Sequence, residues 1–491
     1  MTTWPAGDYP SNSAFKFNTD VDMDRFAPFM DRMTAEELPG IFIDNFAHYY
    51  AKLLAGDNGL IAESSIDPVT KLVDADHLAP QLADVGQAAV DQTVIIKLNG
   101  GLGTGMGLTG PKSLLVVKEG LTFLDVIARQ AVEIGAPLVL MNSFATDAAS
   151  LDVLASYPEL DSELSPSFIQ HKQPKVAVHD LCPAEWPDDP GLEWCPPGHG
   201  DLYISLVTSG MLDKMLDAGY EYAFISNADN LGAVLDLSIL GYFIRKGLPF
   251  LMEVADRTAA DRKGGHLARL KDGRLILREI AQCPDEDMDA FRDIDRHRYF
   301  NTNNLWLHLP TLKRVLVERD YFLGLPMIRN GKTLDPRDAD STPVYQLETA
   351  MGSAITIFDG ADAIRVPRSR FAPVKRTDDL LAVRSDAYIL TNDYRVILAP
   401  DRLGNPPTVE LIGDYYKFVN DLDHHFPAGA PSLRSCDHLV IEGEFEFGRE
   451  VVVLGKARFR NDSDECVVVP DGLILKDGQW PPAGPAIATE Q

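Results

Sequence analysis

The chain has 491 residues, 45% of them hydrophobic, and its 73 Asp and Glu against 45 Lys and Arg give a formal net charge of −28. That length calls for two or three packed units, and that apolar content supports a large buried core, which excludes a mainly disordered chain. The acidic balance excludes non-specific binding to nucleic acid or an anionic membrane, but not a phosphate ligand, because a few lysines, backbone N–H groups and a divalent cation reverse the local field.

The first twenty residues hold no apolar stretch of the secretory kind, and no run approaches the ~20 apolar residues of a membrane span. The cysteines at 182, 195, 283, 436 and 466 form neither a CxxC pair nor a zinc pattern, so a reduced, cytoplasmic compartment is expected. From Asp20 to about Leu78 apolar residues such as Phe26, Phe29, Met30, Phe46, Tyr50 and Leu53 recur mostly three or four apart, which predicts helices, with Thr34 as an N-cap. This segment, counted as residues 1–88, is expected to cover a neighbouring core.

From Thr93 the texture changes. Short apolar runs at Val94–Leu98, Pro137–Met141 and Tyr222–Ser226 alternate with helical patterns at Leu124–Ile134 and Leu206–Ala218. Such alternation specifies an α/β domain, taken as 89–386, around a mixed, mostly parallel Rossmann-like sheet, with ligands beyond the carboxyl ends of the strands. After about Tyr388, Ile441, Phe447, Val453 and Phe459 recur every six residues. That period predicts a parallel β-helix over 387–480, although ordinary antiparallel strands fit the spacing equally well. The tail 481–491 is expected to be disordered.

The most informative stretch is LNGGLGTGMGLTGPK, Leu98 to Lys112. Its glycines directly follow a strand, so successive N–H groups can turn inward around an anion, and Lys112 supplies the charge that dipoles cannot. It is no Walker A loop, because Pro111 separates Gly110 from Lys112. Nor is Gly105-x-Gly107-x-x-Gly110 a dinucleotide fingerprint, since Ser113–Val117 reads as a strand where a helix should begin. A phosphate cradle is the reading left.

These residues resemble the signature of the UDP-glucose pyrophosphorylase family of the eukaryotic type. Further segments match in the family's order: Met141–Phe144, Pro196–Asp201, Ser226–Gly232, Glu279–Gln282, Phe300–Trp306, Gln346–Thr349 and Val366–Lys375. The resemblance implies a nucleotidyltransferase that makes UDP-glucose and pyrophosphate from UTP and glucose 1-phosphate, reversibly, with Mg²⁺, and with a left-handed β-helix at its C-terminus. It implies Lys112 and Lys375 as the catalytic cations and Asp229 as the metal ligand. Leu98, Asn99, Gly100, Gly101, Gln170, Gly198, Asn227, Ala228 and Asp229 would bind the nucleotide. His199, Asn227, Gly265, Glu279, Asn301 and Asn303 would bind the sugar, strand alternation favouring Asn301 and Asn303 over Asn304.

Three departures from the family pattern stand out: Gly105 in place of a hydroxyl residue, Cys195 in place of an aromatic one, and a divergent stretch at 176–195. Alternatives on the same fold are a UDP-N-acetylhexosamine or UDP-galactose pyrophosphorylase and a non-catalytic nucleotide sensor. A homo-oligomer formed through the C-terminal domain is also allowed, since the end coil of a β-helix exposes strand edges.

Overall fold

Val94, Ile95 and Ile96 are each almost wholly buried, as an interior strand covered on both faces requires. Successive residues go to opposite sides. Ile96 and Ile225 join Leu202, Leu206 and Met211 in one apolar layer, while Ile95 and Phe224 join Leu124, Ile127, Ile239 and Phe243 in the other. A computed structural model supplies this architecture and describes residues 21–258, 261–336 and 338–481. The first twenty residues of the predicted helical segment, and all but the first residue of the expected disordered tail, lie outside the described residues.

In chain order the main strands are β1 (Val73–Asp74), β2 (Thr93–Asn99), β3 (Leu138–Asn142), β4 (Ser167–Ile169), β5 (Tyr222–Asn227), β6 (Phe250–Asp256), β7 (Tyr299–His308) and β8 (Asp362–Arg365). Across the sheet they lie β1-β8-β6-β7-β5-β2-β3-β4. Only β7 on this path runs antiparallel to its neighbours, so the sheet is mixed and mostly parallel. From β2 the chain proceeds outward to β3 and β4, then returns to place β5 on the other side of β2. Loops leaving β2 and β5 therefore part in a crevice, the usual ligand position on an open α/β sheet.

The helical reading of the N-terminal segment holds only to Leu54. Helices Met23–Ala35 and Gly40–Leu54 pack Phe26, Phe29, Phe46 and Tyr50 into one cluster. Beyond them Ile66–Pro68 pairs with His266–Leu270 and Val73–Asp74 with β8, so the backbone hydrogen bonds of these residues go to distant strands and not to a local helix. Thr34 lies in the last turn of the first helix, which Asp22 caps, and the second helix begins after Pro39. The predicted helix Leu206–Ala218 is two helices, Leu202–Thr208 and Met211–Asp217, broken where Gly210 takes φ +69°.

The C-terminal region holds β9 (Thr408–Ile412), β10 (Ser432–Glu442), β11 (Phe445–Phe447), β12 (Val452–Arg460), β13 (Val467–Val469) and β14 (Ile474–Trp480). They form two parallel sheets, β9-β10-β12-β14 and β11-β13. Ile441, Phe447, Val453 and Phe459 all point into their shared core. That core continues through Met106, Leu115 and Phe123, so it supports the glycine stretch from below. Among the described residues no helix is long and apolar enough to cross a membrane.

Candidate active site

Because β2 and β5 are parallel and in register, Leu98 lies beside Asn227 at their carboxyl ends. The Ala228 N–H donates to the Leu98 carbonyl at 3.0 Å, tying the two exits together. Asn99 turns its side chain beneath the loop, where its amide N–H groups donate to Asn142 Oδ1 and Ser150 Oγ at 2.8 Å. A Cβ on Gly100 would stand 2.6 Å from Gln170 Nε2, so glycine is what lets that amide lie against the loop. The loop closes on itself through the Lys112 N–H, which donates to the Gly101 carbonyl at 3.0 Å.

Gln170 is held from both sides. Its N–H donates to the Asn142 carbonyl at 2.8 Å, and the next N–H, of His171, donates to Asp201 Oδ2 at 2.7 Å. Asp201 Oδ1 also meets His171 Nδ1 at 2.8 Å, and Ser205 and Thr208 complete this buried cluster. Asp201 was not among the expected site residues, although it ends the Pro-Pro-Gly-His-Gly-Asp string. The same string places Gly198 against Glu348 and Thr349. His199 Nδ1 accepts from the Met351 N–H at 3.0 Å. Burial pulls this ring down to about 4, so it is neutral and carries its proton on Nε2.

Lys112 Nζ lies 2.7 Å from Asp229 Oδ2, and both side chains are only partly exposed. A second, distant segment is zipped to the same loop. Asn230 bridges Pro373, the Val374 N–H donates to the Asp229 carbonyl at 3.2 Å, and Asn230 Oδ1 accepts from the Ala372 N–H at 2.9 Å. This brings residue 375 beside residue 229. Lys375 is exposed, its N–H donates to Asp379 Oδ2 at 2.8 Å, and its ammonium forms no ion pair among the described residues.

On the far side of β7 a Cβ on Gly265 would collide with the Glu279 carboxyl, so glycine is again required for a close approach. Burial raises the Glu279 pKa, and the nearby charge of Lys375 partly offsets that rise. Asn301 and Asn303 are partly exposed and bonded to each other, Nδ2 to Oδ1 at 2.7 Å. They share a side, but through a bulge: β7 slips register against β6 there, and Asn303 adopts φ +58°. Asn304 is fully buried and donates to Glu253 Oε2 at 2.9 Å.

Beneath the site runs a polar floor that the sequence reading missed. Glu253 accepts from Asn304, from Trp306 Nε1 at 2.9 Å and twice from Arg370 at 2.7 Å. Lys97 Nζ donates to Ser226 Oγ and the Ala233 carbonyl, both at 2.7 Å. Burial and then the Arg370 charge lower the Lys97 pKa to about 7. A lysine inside an otherwise apolar strand run was the available signal.

The expected residues therefore gather into four groups. Leu98, Asn99, Gly100, Gly101 and Gln170 surround the glycine turn. Lys112, Asn227, Ala228, Asp229 and Lys375 meet at the paired loops, while Gly265, Glu279, Asn301 and Asn303 lie across β7. Gly198 and His199 stand against the 348–351 backbone. Of Asp229 only Oδ2 is engaged among the described residues, so Oδ1 could take a hard cation.

Comparison with known proteins identifies the family. The family model for UTP–glucose-1-phosphate uridylyltransferase matches residues 43–454. The chain is 41% identical over 443 residues to the enzyme of that name from Solanum tuberosum, covering 88% of this chain and 90% of the other. A UDP-glucose pyrophosphorylase variant from Leishmania major, solved in complex with UDP-glucose, superposes with a TM-score of 0.86 at 42% identity, covering 93% of this chain and 98% of that one. A UDP-glucose phosphorylase from Trypanosoma brucei gives 0.84 at 44% identity, covering 93% and 99%.

Proposed function

This chain belongs to the UTP–glucose-1-phosphate uridylyltransferase family, and we propose that it joins UTP and glucose 1-phosphate into UDP-glucose and pyrophosphate. A phosphate oxygen of the sugar attacks the α-phosphorus of UTP in line. The new P–O bond forms as the α–β bridging bond breaks, and pyrophosphate leaves with that electron pair. No covalent enzyme intermediate is needed, so the protein's work is positioning and charge neutralisation.

The observation that carries this reading is the meeting of Lys112, Asp229 and the 372–375 segment at the mouth of the glycine turn. Leu98, Gly100, Gly101 and Gln170, with Gly198, complement the uracil and the phosphates. The imidazole of His199 offers its Nε2 proton to a sugar or phosphate oxygen. Asn227, Gly265, Glu279, Asn301 and Asn303 hold the hexose hydroxyls, the Glu279 carboxylate as an acceptor. Lys112 neutralises the triphosphate. Lys375, without an ionic partner among the described residues, neutralises the charge that builds between the two phosphates in the transition state, as an oxyanion hole does.

Asp229 is the residue we assign to Mg²⁺, through the oxygen that Lys112 leaves open. Bound there, Mg²⁺ would add positive charge to the phosphates. We also read the C-terminal sheets as coils of a left-handed β-helix, and divide the chain into an N-terminal segment 1–88, a catalytic unit 89–386 and a C-terminal unit 387–480. In support, the strands stack in parallel and the residues at six-residue spacing point inward.

The test is Mg²⁺-dependent pyrophosphate release from UTP with glucose 1-phosphate, its galactose analogue or N-acetylglucosamine 1-phosphate. Turnover with the glucose substrate above the other two is expected. UTP binding without turnover at any Mg²⁺ concentration would overturn the assignment.

A further inference from the structure

Away from the crevice, the C-terminal sheets bring together three side chains that the sequence keeps apart. In the parallel pair β11–β13, Phe445 stands opposite Val467, so Glu444 and Cys466, each one residue earlier, meet at one edge. The Val467 N–H donates to the Glu444 carbonyl at 3.1 Å and fixes that register. The helix Val419–His425 ends at the same edge. One ligand atom each from His425, Glu444 and Cys466 lies within 4.8 Å of the others, with His425 Nε2 3.3 Å from Glu444 Oε1.

We propose that His425, Glu444 and Cys466 form a three-ligand site for zinc, with the fourth position open to water. The donor set is one imidazole nitrogen, one carboxylate oxygen and one sulfur, a mixture that suits a borderline ion and not the hard cations that Asp229 would take. Zinc with bonds of about 2.0–2.3 Å in a tetrahedron needs its ligand atoms about 3.3–3.7 Å apart. The imidazole and carboxylate already have that spacing, and rotation of the exposed Cys466 side chain brings the sulfur the remaining distance of about 1 Å.

The imidazole is also set for the task. His425 Nδ1 lies 2.7 Å from the Asp421 carbonyl, a partner to which it can only donate, which leaves the Nε2 lone pair facing the other two ligands. The ring is buried against Tyr416, with centroids 5.0 Å apart. Glu444 and Glu446 are the charges that act on the Cys466 thiol, and both are negative. A divalent cation reverses that field: the S–H bond breaks, its proton leaves to solvent, and the sulfur electron pair forms the bond to the metal. The ion then ties the helix Val419–His425 to both strands of the small sheet.

The experiment uses the full chain, chelator-stripped and kept reduced, with Co²⁺ as the optical probe and Zn²⁺ as the competitor. One equivalent of Co²⁺ should give a thiolate-to-metal charge-transfer band that Zn²⁺ removes. Any Co²⁺ held by Asp229 gives no such band, which separates the two sites. Cys466→Ser should abolish the band and weaken zinc binding at least tenfold, whereas Cys182→Ser should retain it. Zinc should raise the thermal midpoint of the wild type and leave that of Cys466→Ser unmoved. A band that survives Cys466→Ser, or equal zinc affinity in the two proteins, would overturn the site. Because Cys466 is exposed, its serine variant keeps the test decisive even where His425→Gln fails to fold.

Discussion

The two segments that bring lysines to the crevice are built differently. Lys112 follows a glycine turn that rests on the C-terminal core, and its ammonium is already paired with Asp229. Lys375 follows an extended segment zipped to the Asp229 loop, and its ammonium is exposed with no ionic partner among the described residues. A paired lysine has its charge neutralised until a ligand displaces or shares the partner, whereas an unpaired one gives up only hydration on meeting an anion. On that contrast we propose that Lys112 serves ground-state binding and Lys375 the charge of the transition state.

Removing the unpaired charge should produce the largest effect. Lys375→Ala is expected to lower kcat by about 10²–10³ with an unchanged thermal midpoint, measured by steady-state kinetics alongside thermal melting. Turnover near wild type would end the contrast. Asp229→Ala comes next: it should flatten the Mg²⁺ titration and slow turnover about a hundredfold, since it removes the carboxylate that would hold the ion. Lys112→Ala should act mainly on UTP binding, weakening it by about 1.5–3 kcal/mol, the worth of a hydrogen bond to a charged group, as read by calorimetry.

The floor offers a sharper comparison, because it should affect stability before chemistry. Lys97→Met removes the donors to Ser226 and the Ala233 carbonyl while keeping most of the volume, and is expected to cost about 1–3 kcal/mol in urea unfolding. The sign with pH follows from its lowered pKa. The native lysine loses its proton above about pH 7, while the unfolded one keeps it to about pH 10, so wild-type stability should rise with pH across that window. Lys97→Met should lack that rise.

The smallest effect should lie on the acid limb of sugar binding. Burial raises the Glu279 pKa, so as pH falls this carboxylate protonates sooner than an ordinary one and ceases to accept from a sugar hydroxyl. KM for glucose 1-phosphate should therefore climb at low pH beyond the contribution of the substrate phosphate, which Glu279→Gln isolates. In Lys375→Ala the charge that opposes the rise is gone, and the limb should move to higher pH. A limb unmoved by either substitution would remove Glu279 from the sugar side.

Much of this molecule was legible in one dimension because its signals are local. The run Val94–Ile96 is buried on both faces, and the glycine stretch after it could serve little else than a close backbone approach. The motifs near Asp229 and Lys375 were recognisable as strings. Strand alternation put Asn301 and Asn303 on one side, where they do lie, but gave no sign of the bulge that turns Asn303 into the left-handed region. Local pattern failed at Thr34, where a capping residue sits inside the end of a helix, and at Ile66–Asp74, where strand partners some two hundred residues or more away overrode the helical reading.

What composition and motif determined, then, was the class of sheet, the glycine turn at its carboxyl edge and the family, because each is written in contiguous residues. Only the folded chain decided that Lys112 pairs with Asp229, that Lys375 does not, that Lys97 lies buried, and that His425, Glu444 and Cys466 converge. Those facts depend on distances between segments far apart in sequence, and on how much water reaches each charge. Neither quantity exists until the sheets close.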